Sequence, residues 1–169
     1  MTEARTAPSL AAYPGADAAR NHLEGKARHT MLFGIPPVLG PDLLHALRAM
    51  GHGDEIALVD ANYPAAEHAR RLIRADGIDL LTMLGAVLKV LPVEEAMRAA
   101  QDNDPAKRGP IHEQIDALCG TEPQWLAVRP LSGEELYPRI KSCFAIIATG
   151  EQRLYANVIL RKGALPPAS

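Results

Sequence analysis

The chain reads as α/β, a single layered domain with a mixed, largely parallel sheet flanked by helices. Two observations predict this class. Along residues 31–169, short apolar runs of strand length alternate with stretches of helical period, as expected of a sheet covered by helices. The length of 169 residues suits one hydrophobic core, because domains typically run about 100–150 residues. No internal repeat breaks the pattern.

The elements follow in order. Residues 1–30 are Ala-rich, carry Pro8, Pro14 and Gly15, and show little period; they are expected to form a poorly ordered tail. Residues 41–50 predict a helix, with Pro41 in its first turn and Leu43, Leu47 and Met50 on one stripe. Gly51 then stands where a left-handed C-terminal residue is wanted. Residues 55–60 form an apolar strand ending in Asp60, Asn62-Tyr63-Pro64 is a turn, and 65–71 suits a short helix. A second helix is expected over about 79–90, capped by Asp79, with Leu80, Met83, Leu84, Val87, Leu88 and Leu91 inward. Residues 94–100 favour helix by propensity, whereas an α/β sheet wants a strand there. A polar loop at 102–110, a helix at 112–118 and a strand at 125–128 come next. Residues 134–142 predict a helix despite Pro138. Strands at 143–149 and 157–160 complete the pattern.

Bulk chemistry excludes several classes. With 47% hydrophobic and 22% charged residues and a formal net charge of −2, the chain lacks the clustered Lys and Arg of nucleic-acid or anionic-membrane surfaces. No apolar run approaches the roughly 20 residues of a membrane span, and residues 1–30 lack the basic-then-apolar order of a signal peptide. Cys119 and Cys143 have no partner motif and read as free thiols of a cytoplasmic protein. The scattered histidines show no metal-ligand spacing, and no dinucleotide, phosphate-loop or nucleophile-elbow motif occurs. No metal and no cofactor is expected, which leaves proton transfer or plain binding.

Three features offer chemistry. His52 lies between Gly51 and Gly53 on a helix-to-strand connection, where functional side chains concentrate, and imidazoles suit proton transfer near neutral pH. Taken alone, a solvated loop histidine fits as well. Asp60 ends a strand at the carboxyl edge, where open α/β sheets place ligands; it also fits a simple turn cap. Tyr155-Ala156-Asn157 follows Thr149-Gly150-Glu151 between two strands and supplies a phenol and an amide. Both recognise hydroxyl groups well, although ordinary strand-flanking residues look the same.

Together these stretches resemble the fucose mutarotase and ribose pyranase family: Gly51-His52-Gly53-Asp54-Glu55-Ile56, Asp60-Ala61-Asn62-Tyr63-Pro64-Ala65, Ile73-Arg74-Ala75-Asp76-Gly77, and Phe144 through Glu151 with Tyr155-Ala156-Asn157 behind. The resemblance spans about Met31 to Gly163. It implies an isomerase that interconverts the ring forms of a free monosaccharide, with L-fucose the first candidate, and a ring-shaped homo-oligomer, usually a decamer. It further implies that His52 is the catalytic acid and that Asp60, Tyr155, Ala156 and Asn157 bind sugar, and it favours a strand at 96–100. Gly133 stands where the family carries a basic binding residue, leaving room that Arg129 or Tyr137 could fill or that a different deoxy or acidic sugar could use. The alternatives are a D-ribose pyranase and a non-catalytic sugar-binding protein of the same fold. The resemblance also implies a domain over 31–169 beginning at Met31, with residues 1–30 either a disordered extension or a start assigned too far upstream.

Overall fold

The computed structural model describes residues 32–121 and 124–165; the expected tail lies outside the described residues. Five α-helices and six strands follow one another among them: α1 Pro41–Ala49, β1 Glu55–Val59, α2 Ala65–His68, β2 Leu72–Ala75, α3 Leu80–Leu88, β3 Val93–Ala99, α4 Pro110–Cys119, β4 Val128–Leu131, α5 Gly133–Ser142, β5 Ala145–Thr149 and β6 Val158–Lys162.

The strands form one sheet in the order β2-β5-β1-β6-β3-β4. β2, β5 and β1 run parallel, as do β3 and β4, while β6 is antiparallel to both β1 and β3. The β5–β6 connection contains no helix, and without a crossover helix the next strand must turn back. The sheet is therefore mixed with mostly parallel pairs. Segment 93–99 is a strand, and tertiary pairing with β6 and β4 overrides its helix propensity.

Alternation along β1 divides the core. Ile56 and Leu58 face Leu43, Leu47, Leu84, Val87 and Ile115 from α1, α3 and α4. Ala57 and Val59 face Ala65, Leu136 and Ile140 from α2 and α5. Both faces of β1 are thus buried, as parallel central strands require. The α3 cap is as expected: Asp79 accepts from the Thr82 backbone N–H at 2.9 Å.

Several details differ from expectation. α1 ends through extended Met50, and the left-handed residue of the following turn is Gly53, at φ +85°, not Gly51. Asp54 accepts from the Gly51 N–H at 2.7 Å and closes that turn. The strand expected at 125–128 begins only at Val128, because Trp125 takes φ +50° and lies exposed. β2, for which no strand was expected, pairs with β5. Leu88 is only half-buried. Glu55 belongs to an ion cluster: Arg139 donates to it at 2.6 and 3.0 Å, and Arg161 bridges to Glu95 at 3.2 Å. Cys119 and Cys143 are buried and unpaired, and burial pushes each thiol up to about 12.

Candidate functional site

At the carboxyl edge of β1, β3 and β4 the chain forms a half-open cavity of about 710 Å³, within the usual range for small-molecule sites. Asp60, Tyr63, Asn103, Tyr137, Tyr155 and Asn157 contribute to its wall. Three of the residues singled out from sequence therefore meet here: Asp60, Tyr155 and Asn157.

Asp60 and Asn157 are locked together. The Asn157 Nδ2 donates to Asp60 Oδ2 at 3.0 Å, and the Asp60 backbone N–H donates to Asn157 Oδ1 at 3.1 Å. Asp60 Oδ1 accepts from the Asn62 backbone N–H at 2.9 Å, so the carboxylate also caps its turn. Burial raises the Asp60 carboxyl above the usual range, opposed by the backbone of Asn62, the Asn157 amide, and the backbones of Tyr63 and Ala156. Ala156 itself is fully buried, and its part at the site is this backbone group. Tyr155 sits at φ +60°, a conformation bulky residues rarely adopt.

One wall is aromatic. Tyr63 and Tyr137 lie with ring centroids 5.2 Å apart, and the Tyr63 hydroxyl meets His68 Nδ1 at 2.9 Å. Burial raises the Tyr63 hydroxyl above its ordinary value, so it stays protonated. Such faces pack the C–H surface of a ring while amide and carboxylate groups hold hydroxyls.

Ser132, Gly133 and Glu134 at the start of α5 also line the cavity. A Cβ on Gly133 would stand 2.6 Å from Asn103 Oδ1, so the Asn103 carboxamide already fills that room. Tyr137 reaches the cavity, whereas Arg129 pairs with Glu95 at 3.3 Å and does not line it. The described residues lining the cavity include no Lys, Arg or His. With the Asp60 and Glu134 carboxylates at the wall, this arrangement suits a neutral polyhydroxylated ligand and repels an acidic one.

His52 is elsewhere. It lies exposed at the amino edge of β1, where its Nε2 stands 2.8 Å from Glu94 Oε2. The five residues of β1 alone set roughly 16 Å between that edge and Asp60. One protomer thus brings Asp60, Tyr155 and Asn157 together and keeps its own His52 away. Glu94, Asn103, Tyr63 and the buried His112 were not singled out from sequence. Glu94, Asn103 and His112 gain their roles through partners distant in the chain, and no local motif marks them; Tyr63 lies within the 60–65 stretch, but its packing on Tyr137 comes only with the fold.

Comparisons with known proteins bear on this geometry. The RbsD / FucU transport protein family matches residues 33–165. The fucose mutarotase of Mus musculus is 42% identical over 145 residues, spanning 79% of this chain and 95% of that protein. The crystal structure of the fucose mutarotase from Streptococcus pneumoniae in complex with L-fucose superposes with a TM-score of 0.68 at 37% identity, covering 80% of this chain and 100% of the other. Bacillus subtilis RbsD complexed with D-ribose shares the fold, with a TM-score of 0.65 at 23% identity over 83% of this chain and all of that one.

Proposed function

The chain belongs to the RbsD / FucU family, and from that premise we propose that it is a mutarotase, an isomerase interconverting the ring forms of a free monosaccharide, L-fucose first. The observation that carries this reading is the Asp60–Asn157 pair set beside Tyr155 in a cavity without a cationic wall. A sugar phosphate or uronate would want a Lys or Arg here; a neutral sugar wants acceptors, amides and an aromatic face.

Mutarotation opens a hemiacetal and recloses it on the other face of the carbonyl. A proton must reach the ring oxygen while another passes from the anomeric hydroxyl to water or a carboxylate. Asp60, Tyr155 and Asn157 orient the hydroxyls, with the Ala156 backbone helping to hold Asp60. His52 is the acid, and it is supplied by a neighbouring protomer, because its own lies at the other edge of the sheet. Glu94 holds that imidazole at 2.8 Å. Positioned acid–base help is worth roughly 10²–10⁴-fold, enough for a reaction that already proceeds slowly in water. The working form is then a ring of copies, ten by family resemblance. Two buried unpaired thiols suit the reducing cytoplasm.

Anomer exchange measured by NMR for L-fucose, D-ribose and D-galactose tests the reading. We expect acceleration for L-fucose that falls at least 100-fold in His52→Ala. Acceleration of D-ribose alone would make the protein a pyranase. Binding of a sugar without faster exchange would make it a non-catalytic binder.

A further inference from the structure

The fully buried His112 has no part in the acid–base scheme, yet both its ring nitrogens are engaged. It stands in the first turn of α4. Its Nδ1 lies 3.0 Å from the Gly109 backbone nitrogen and its Nε2 lies 3.0 Å from the Tyr155 carbonyl oxygen. An amide N–H only donates and a carbonyl only accepts, so these two partners dictate a neutral ring with its proton on Nε2. Tyr155 is the residue held at φ +60° on the cavity wall, two positions before Asn157.

We propose that His112 is a positioning residue for the sugar site, its Nε2–H bond to the Tyr155 carbonyl holding the turn that aims Tyr155 and Asn157 at the substrate. This rests on the reading of those two residues as sugar contacts.

Three arguments support it. A turn residue in the left-handed region persists only where its surroundings over-determine it, and among the described residues the His112 ring supplies a side-chain hydrogen bond to the Tyr155 backbone. The anchor is rigid, since α4 is fixed by Ile111, Ile115 and Cys119 in the core and by the Arg98–Asp116 pair at 2.7 Å. The ring is also kept neutral. Burial is the largest influence and lowers its affinity for a proton; the Tyr155 carbonyl bond opposes this, Arg98 of β3 adds to the lowering, and Asp116 of α4, which also opposes it, is shared with Arg98 and Arg108. A charged ring would point an N–H at the Gly109 N–H and lose that contact.

The test compares His112→Gln, whose carboxamide keeps a donor, with His112→Phe, which keeps bulk and loses the donor. Losing a hydrogen bond that orients the substrate contacts removes uniform binding. We expect Phe to raise KM for L-fucose roughly tenfold, about one hydrogen bond's worth, with kcat within about twofold, and Gln to stay within about threefold of wild type in both. A folded Phe variant with wild-type KM, or a Gln variant as impaired as Phe, overturns the proposal. A second measurement needs no sugar, and its first part, made on wild-type protein, needs no folded Phe variant. The ¹⁵N spectrum of wild-type protein at pH 7 should show His112 as the Nε2–H tautomer, and the Ala156 and Asn157 amides should exchange more slowly in wild type and Gln than in Phe. A charged or Nδ1–H ring at His112 sinks it.

Discussion

Asp60 and Glu151 lie on neighbouring loops, joined where the Ala61 N–H donates to the Glu151 carbonyl at 2.8 Å, and both are nearly inaccessible, at 5% and 4% exposure, yet their surroundings drive them in opposite directions. Around Asp60 desolvation is the largest influence and raises the carboxyl. Glu151 is held by the Arg153 guanidinium at 2.7 and 2.8 Å, which lowers it to about 2. Its depressed value means that Glu151 stabilises the fold above the ordinary carboxylate pKa of about 4.3 and that this stabilisation fades as pH falls from there towards 2. Glu151→Gln should therefore be less stable than wild type at pH 7 by roughly 1–2 kcal/mol, a figure reduced for the solvent around Arg153. Urea unfolding at pH 7 and pH 3 checks this; a difference that does not shrink in acid would refute it. At this scale the sequence was half legible. Asp60 stands out because a carboxylate ending an apolar strand demands partners. Glu94 and His112 do not, because the partners that give them meaning lie 42 and 43 positions away.

Element by element, legibility followed burial and punctuation. α1 and α3 were plain from their apolar stripes and from Pro41 and Asp79. β2 was not, since Leu72-Ile73-Arg74-Ala75 buries only alternate residues over four positions, too short a run to show a period. β4 carries Pro130 and sits at the sheet edge, where a missing N–H is tolerated, and the more apolar Trp125-Leu126-Ala127 just before it carries the stronger strand signal. Between elements, Gly150 makes the tightest glycine approach to backbone among the described residues. A Cβ there would stand 2.8 Å from the Gly77 nitrogen and 3.2 Å from its Cα, and Gly77 is itself at φ +78°. Backbone cannot swing aside as a side chain can. Gly150→Ala should destabilise by about 1–3 kcal/mol and loosen the loop that carries Tyr155; an unchanged thermal midpoint would contradict the close approach.

At the scale of the whole molecule, the sheet sorts the machinery by edge. The carboxyl ends of β1, β3 and β4 carry the cavity, and the amino ends of β1 and β3 carry His52 and Glu94. The sequence could not disclose this sorting, because His52 and Asp60 are only eight positions apart and look like neighbours until β1 is drawn out straight. The arrangement predicts complementation. His52→Ala and Asp60→Asn chains, each inactive, should recover anomer exchange when mixed under conditions that let subunits swap, since some cavities then receive an intact histidine beside an intact aspartate. Mixed assemblies verified by native mass that stay inactive would show that both groups must come from one chain.

On that arrangement dilution becomes a chemical variable. On the proposed scheme a lone chain keeps its cavity but lacks the histidine acid, and adding more sugar does not help. Turnover per chain would fall as the assembly dissociates, so a curve of specific activity against protein concentration would double as a binding isotherm for the subunits themselves.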